Sequence, residues 1–160
     1  MGSRGSVIPV FLKHAKSKFL PITDKRMTRF NITLDQGVNF VIDCFKRMWG
    51  GEIFVPKIPS YRILDIAKAV SSEAKIKYVG IRPGEKIHEE MITVTDSLNS
   101  VEFEDYYVIL PSLELWDTDD FIKNSSSSPG KFCKDGFSYN SENNNVYLSL
   151  EELKKLMTEL

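Results

Sequence analysis

The sequence has few cysteines, almost no charge imbalance and no long apolar run. Its two cysteines, Cys44 and Cys133, are too few for a disulfide framework or a metal site. Basic and acidic side chains number 21 and 22, so the basic excess of a dedicated nucleic-acid-binding protein is absent. No segment approaches the roughly 18 apolar residues of a membrane span, and the polar first six residues are unlike a signal peptide. These absences predict a cytoplasmic protein with no metal site, no membrane span and no nucleic-acid partner.

Two motifs of nucleotide-dependent oxidoreductases are also missing. The nine glycines form neither G-x-G-x-x-G nor G-x-x-G-x-x-G, the patterns that let a backbone approach a dinucleotide pyrophosphate. None of the six tyrosines has a lysine four residues later, the pair in which lysine lowers the tyrosine pKa for proton transfer. His14 and His88 are far apart, and neither H-E-x-x-H nor G-x-S-x-G occurs. We therefore expect no catalytic residues in this chain and no fully bound dinucleotide.

The sequence does contain the pattern of a small α/β protein. Its 160 residues, 42% of them hydrophobic, suffice for a domain with a core. Polar caps before apolar residues at helical spacing predict helices, and short apolar runs between turns predict strands. The predicted helices run over 7–18 after Ser6, from the Thr33 and Gln36 capping box to Gly50, from Ser60 to about Val70, and over 150–160 after Ser149. The predicted strands are 19–23, 52–55, 76–81 and 105–110.

A change of composition divides the chain into three predicted parts. An α/β domain covers 1–116, and a C-terminal helix lies within 146–160. Between them, 117–145 contains a serine run followed by Pro129-Gly130 and ends in an asparagine run. Such polar segments lack apolar periodicity, so this range is predicted to be a long, flexible loop.

The turn Arg82-Pro83-Gly84-Glu85 is the most informative segment. An arginine fork can bind a diphosphate through two parallel hydrogen bonds. Pro-Gly favours a tight turn that lets the neighbouring side chains converge. The Glu85 carboxylate can accept hydrogen bonds from the vicinal hydroxyls of a ribose. An exposed turn with an arginine–glutamate surface pair also explains the segment, because Pro-Gly turns are common.

Two further positions could meet the same anion. Arg29 stands just before the second predicted helix, and a second arginine on the diphosphate makes chemical sense. A solvated basic face is the alternative. Val7 stands at a helix N-terminus, where free N–H groups and the positive end of the helix dipole suit a phosphate. An ordinary N-cap explains Ser6 equally well.

Several segments together resemble one family. They are GSRGSVIP at 2–9, PITDKRMTRF at 21–30, GEIFVPK at 51–57 and GIRPGEKIHEEM at 80–91. The later YNS at 139–141 and LSLEEL at 148–153 fit the same pattern. The chain closely resembles the UDP-N-acetylglucosamine 4,6-dehydratases of the bacterial polysaccharide-biosynthesis group, which are extended short-chain dehydrogenase/reductases. The resemblance covers nearly the whole chain except 117–134.

The resemblance implies a fold and a missing half. Such enzymes hold NADP and the catalytic residues in an N-terminal half and bind the substrate nucleotide with a C-terminal half. This sequence matches the second half alone. We therefore expect an α/β substrate-binding portion with a small mixed sheet and helices, the Rossmann domain being largely absent. Because 1–5 look like an internal family segment, we expect a gene fragment, a truncated gene prediction or one half of a split gene.

The resemblance also implies a UDP-binding role for six residues. They are Val7, Pro21, Thr23, Arg29, Arg82 and Glu85. The two arginines would bind the diphosphate and the glutamate the ribose. The valine would offer its backbone at the helix start, while the proline and the threonine would line the uracil through main-chain groups.

By this resemblance the chain is the UDP-sugar-binding half of a UDP-N-acetylglucosamine 4,6-dehydratase, a lyase of polysaccharide or glycan biosynthesis. In that reaction NADP takes hydride from sugar C4, water leaves across C5 and C6, and hydride returns to C6; an epimerisation can accompany it. The expected partners are a UDP-sugar, the N-terminal half and, in a homo-oligomer, a second copy. The alternative is a non-catalytic fragment that only binds UDP-sugars or a partner chain.

Overall fold

The computed structural model describes residues 7–14 and 19–158. Contacts divide the chain into two units that are each assembled from several stretches. Unit 1 comprises Met1–Ile32, Ile58–Glu89 and Ser141–Leu160, and unit 2 comprises Thr33–Lys57 and Glu90–Asn140. The chain passes from one unit to the other four times, and the division into 1–116, 117–145 and 146–160 stays a prediction.

The described residues form six helices and ten short strands. The helices are α1 (Val7–His14), α2 (Leu34–Arg47), α3 (Ile63–Val70), α4 (Val94–Ser97), α5 (Thr118–Asn124) and α6 (Leu150–Thr158). The strands are β1 (Phe19–Ile22), β2 (Thr28–Phe30), β3 (Ile53–Pro56), β4 (Ser60–Arg62), β5 (Lys75–Tyr78), β6 (Glu90–Ile92), β7 (Ser100–Glu102), β8 (Tyr106–Ile109), β9 (Lys131–Phe132) and β10 (Tyr139–Asn140). This mixed α/β content with small sheets confirms the predicted fold class.

Unit 1 packs three helices against two small sheets. Strand β1 pairs in parallel with β5, and β2 pairs antiparallel with β4. Helix α3 packs on α1 and on α6. Apolar side chains at helical spacing on these elements are buried together, and each contributes roughly 1.5–3 kcal/mol to stability. The most buried members of this core are Ile8, Phe11, Leu20, Ile22, Ile66 and Leu153.

Unit 2 contains a four-stranded sheet in the order β3-β8-β7-β9, in which all the pairings are antiparallel. A second pair joins β6 to β10. Aromatic side chains dominate its core. Phe121 of α5 is fully buried and stacks on Trp116 with ring centroids 4.5 Å apart. Phe103 stacks on Tyr106 at 4.9 Å.

Gly130 lies against this aromatic core, and its backbone N–H donates to the carbonyl of Ile122. A Cβ at this position would lie 2.5 Å from Val101 Cγ1 and 2.7 Å from the Phe103 ring. We therefore expect Gly130→Ala to lower the free energy of unfolding by about 1–3 kcal/mol, the usual cost of overpacking a core. Urea unfolding followed by tryptophan fluorescence measures this. The exposed Ser128→Ala serves as control, and equal midpoints for the two variants would contradict the assigned packing.

Helix α2 begins at the predicted capping box: Thr33 Oγ1 accepts from Gln36 N, and Gln36 Oε1 accepts from Thr33 N. None of the residues of α2 is buried. Its apolar stripe is 48–70% exposed within the described structure. The stripe consists of Val38, Val41, Ile42, Phe45 and, just past the helix, Met48. Among the described helices α2 is the longest at 14 residues, and none is long and apolar enough to cross a membrane.

The prediction that Ser60 caps the third helix is wrong. Ser60 lies in β4 with no exposed surface, and the residue that precedes α3 is Arg62, which makes no side-chain capping bond. The Ser60 hydroxyl instead accepts from Asn144 Nδ2 at 3.0 Å. The first predicted helix is described only as far as His14, and Ser6 and 15–18 lie outside the described residues.

The range 117–145 contains regular structure that the sequence reading treats as loop. Helix α5 is capped by Asp117, whose side chain accepts from Asp120 N, and strands β9 and β10 follow. These elements are too short to show an apolar periodicity from which they could be predicted. The flexibility of this range stays a prediction.

Candidate binding pocket

A pocket of about 420 Å³ lies within unit 1, in the size range of small-molecule sites. The structure brings every predicted site residue to its wall, although they come from distant parts of the sequence. The residues are Val7 from α1, Pro21 and Thr23 at β1, Arg29 in β2, and Arg82 and Glu85 in the turn after β5. Their contact with a ligand stays a prediction.

The Arg82–Glu85 turn is a closed structure. Glu85 N donates to the carbonyl of Arg82 at 3.1 Å, and Arg82 N donates to Glu85 Oε2 at 3.2 Å. Gly84 has φ +79°, which a glycine adopts without strain at this position of a type II turn. The Thr23 hydroxyl donates to Glu85 Oε1 at 3.4 Å and joins the turn to the end of β1. The carboxylate is therefore positioned by both sides of the pocket.

The guanidinium of Arg82 is exposed and makes no hydrogen bond or ion pair with any residue that the structure describes. A guanidinium carries five N–H donors and stays charged at any physiological pH. The planar fork can therefore donate two parallel hydrogen bonds to an anion in the pocket.

Arg29 is engaged differently. Its NH1 group donates to the carbonyls of Thr28 and Ile87 at 2.7 and 2.9 Å, and its NH2 group donates to the carbonyl of Lys86 at 3.0 Å. Its Nε lies 3.7 Å from Glu89 Oε1. The side chain thus fastens the segment after the Arg82–Glu85 turn to β2. This role was not predicted, because the backbone partners lie 57 and 58 residues away and cannot be inferred from the residues around Arg29.

The apolar wall of the pocket comes from α1, β1 and the start of α3. Val7, Val10 and Phe11 face it from α1, and Ile63 faces it from α3. Within the described residues β1 has β5 as its one strand partner, so no described strand pairs with its other edge. That is the arrangement in which Pro21 and Thr23 can present backbone groups to a planar base.

Three polar residues of the pocket wall were not predicted from the sequence: Asn31, Tyr61 and Glu89. Asn31 is 4% exposed, and its Oδ1 accepts no hydrogen bond from any described residue. Burial raises the pKa of Tyr61 to about 12, with the Glu89 carboxylate adding to the rise and Arg29 opposing it. Glu89 Oε2 accepts from Phe30 N at 2.8 Å. Strand β2 was not predicted from the sequence. Side chains alternate between the two faces of a strand, so a predicted β2 would have placed Asn31 on the same face as Arg29.

Neither a metal-binding cluster nor a glycine turn before α2, α3, α4 or α5 is found among the described residues. They contain no group of three His, Cys, Asp or Glu side chains placed to hold a metal ion. The residues that cap α2, α3, α4 and α5 are Thr33, Arg62, Thr93 and Asp117, so these helices do not begin on the glycine turn that a dinucleotide pyrophosphate requires.

The fold is that of the C-terminal portion of an extended short-chain dehydrogenase/reductase. Residues 1–111 match the family described as polysaccharide biosynthesis protein, and the chain belongs to that family. It is 51% identical over 160 residues to the UDP-N-acetylglucosamine 4,6-dehydratase (inverting) of Campylobacter jejuni serotype O:2, covering 98% of this chain and 48% of the relative. The enzyme of the same name from serotype O:23/36 is 53% identical over 156 residues, covering 96% of this chain and 47% of the relative.

A solved structure shows the same arrangement. The X-ray structure of Pen from Bacillus thuringiensis superposes with a TM-score of 0.77 at 32% identity. The match covers 99% of this chain and 47% of that one. The chain therefore spans about half the length of the curated relatives and of the solved structure that it matches.

Proposed function

We propose that this chain is the UDP-sugar-binding half of a UDP-N-acetylglucosamine 4,6-dehydratase of polysaccharide or glycan biosynthesis. One observation carries the proposal: Arg82, whose guanidinium has no described partner, and Glu85 stand on one closed turn at a pocket of about 420 Å³. The cation suits a diphosphate and the carboxylate suits vicinal ribose hydroxyls. The 51–53% identity to dehydratases supports the choice of substrate.

In this proposal each wall of the pocket binds one part of UDP. The main chain at Pro21 and Thr23 meets the uracil, and Glu85 accepts from the ribose. Arg82 binds the diphosphate, with the positive end of α1 at Val7 nearby. Arg29 contributes its charge while it keeps the 86–87 segment in place.

The chemical steps belong to residues outside this chain. NADP, which supplies hydride acceptance and return in this reaction class, would be bound by the other half of the enzyme. The described residues of this chain bind and orient the nucleotide; none of them is assigned a proton transfer. The proposed lyase activity therefore needs a partner, either the N-terminal half or an oligomer that contains it.

We also propose a cytoplasmic location. Cys44 and Cys133 are both free. Burial raises the pKa of each thiol, that of Cys133 to about 11, so both stay protonated at neutral pH. Unpaired thiols of this kind are typical of a reducing compartment.

The alternative is a non-catalytic chain that binds UDP-sugars or a partner. The exposed apolar stripe of α2 favours a protein partner in either case, because such stripes are usually covered. The two candidate functions predict different results when the N-terminal half of a dehydratase is added: turnover for the first and no turnover for the second.

The purified chain should form no 4-keto-6-deoxy product from UDP-N-acetylglucosamine and NADP, because it holds neither a Tyr-x-x-x-Lys pair nor a glycine fingerprint. Proton NMR of the reaction mixture detects such a product directly. Addition of the N-terminal half of the Campylobacter jejuni enzyme should restore turnover if the chain is half of a dehydratase. Product from the chain alone would contradict the assignment of catalysis to the other half, and no product with both halves would favour the non-catalytic alternative.

A further inference from the structure

Asn31 carries an unused hydrogen-bond acceptor at the pocket. The residue is 4% exposed, and its Oδ1 has no partner among the described residues. A buried polar atom without a partner is destabilising and uncommon in folded proteins. It is retained at little cost to the complex when a ligand supplies the missing donor.

The neighbours of Asn31 place its side chain on the wall of the pocket. Side chains two residues apart on a strand lie on the same face, so Asn31, which follows β2, continues the face of Arg29. Arg29 is opposite Tyr61 in the β2–β4 pair. All three residues line the pocket. No hydrogen bond joins the Tyr61 hydroxyl to any other described residue, so this face offers two polar groups to a ligand.

Hydrogen bonds fix the order of the groups along the pocket. Thr23 bonds to Glu85, Arg29 bonds to the carbonyls of Lys86 and Ile87, and the backbone of Phe30 bonds to Glu89. The segment 85–89 thus runs beside 23–30 in the same direction. Asn31 follows at the end remote from Glu85.

A nucleotide sugar has the same linear order: ribose, diphosphate, hexose. With the ribose at Glu85 and the diphosphate at the arginines, the hexose falls at the end of the pocket formed by Asn31 and Glu89. We propose that the Asn31 side chain accepts a hydrogen bond from a hydroxyl or acetamido N–H of the hexose and so selects the sugar. The diphosphate cannot satisfy it, since ionised phosphate has no donor. This inference rests on the proposed binding of a UDP-sugar.

The test compares three ligands on the intact chain by ligand-detected NMR titration. Asn31→Ala and Asn31→Leu should bind UDP-N-acetylglucosamine about five- to tenfold more weakly than the unmodified chain, the effect of one lost hydrogen bond. Both variants should bind UDP within twofold of the unmodified chain. If the two variants lose the same affinity for UDP-glucose, the group that donates to Asn31 is a hexose hydroxyl. If they lose affinity for UDP-N-acetylglucosamine alone, the donor is the acetamido N–H.

A second readout separates recognition from structural support. Asn31→Leu removes an unpaired polar atom, so its thermal midpoint should equal or exceed that of the unmodified chain while its affinity for the sugar falls. Asn39→Leu, on the exposed surface of α2, is the matched control. Equal weakening of UDP and UDP-sugar binding, or no weakening, would overturn the role of Asn31. Failure of the unmodified chain to bind UDP would overturn the proposed function and this inference with it.

Discussion

Replacement of Arg82 by alanine should weaken UDP binding by about tenfold to a hundredfold, the range of a hydrogen bond to a charged group. The guanidinium has no described protein partner, so its removal takes away ligand contacts and little else. Arg82→Lys should recover only part of the affinity, because an ammonium cannot present the planar fork that matches a diphosphate. Titration calorimetry on the intact chain, and on the chain combined with the N-terminal half, measures both effects.

Arg26→Ala is the matched control for this variant. Arg26 is exposed and pairs with Asp24 at 2.8 Å, and it does not line the pocket. The hydrogen bond from Arg26 lowers the pKa of Asp24 to about 2, so the two charges satisfy each other. UDP affinity should be unchanged in Arg26→Ala. Equal affinity in Arg82→Ala would show that the Arg82–Glu85 turn is a surface feature.

Replacement of Arg29 by alanine should have a different signature, a loss of stability together with a loss of binding. Its side chain satisfies three backbone carbonyls, at Thr28, Lys86 and Ile87. Without it the partly buried carbonyls lose a charged donor, and the 85–89 segment loses its attachment to β2. We expect the free energy of unfolding of unit 1 to fall by about 3 kcal/mol, since such bonds are not additive.

Lysine at this position should not rescue the variant, because one ammonium cannot reach three carbonyls in the geometry of a guanidinium. Urea unfolding monitored by amide NMR signals of unit 1 reports the change, with Arg26→Ala again as control. A variant that loses UDP affinity at unchanged stability would contradict the fastening role and would make Arg29 a plain diphosphate ligand.

The motif-bearing parts of the pocket could be predicted, and the parts that depend on short strands could not. Pro83-Gly84 forces a turn by local chemistry, and the flanking arginine and glutamate follow from it. Strand β2 has three residues, too few for a period of two to stand out. Because the strand was not predicted, Arg29 was assigned to a loop, and nothing indicated that Asn31 lies on the same face.

Ser60 shows the same limit at a helix start. Serine before an apolar helical pattern is a good N-cap by local preference. In the structure the long-range bonds of β4 prevail: Ser60 N donates to the carbonyl of Val146, and Ser60 O accepts from Leu148 N. The conformation of Ser60 is therefore determined by hydrogen-bond partners more than 80 residues away, which a local capping preference does not take into account.

The pocket is lined from three stretches that lie far apart in the chain, 7–32, 61–63 and 79–89. None of them can form the site without the other two, so a ligand that occupies it binds the folded form of unit 1 and not the unfolded chain. By mass action such a ligand raises the unfolding free energy by about 2.7 kcal/mol at a concentration a hundred times its Kd. If the proposed nucleotide sugar is that ligand, its binding also protects the chain from proteolysis, which acts on the unfolded form.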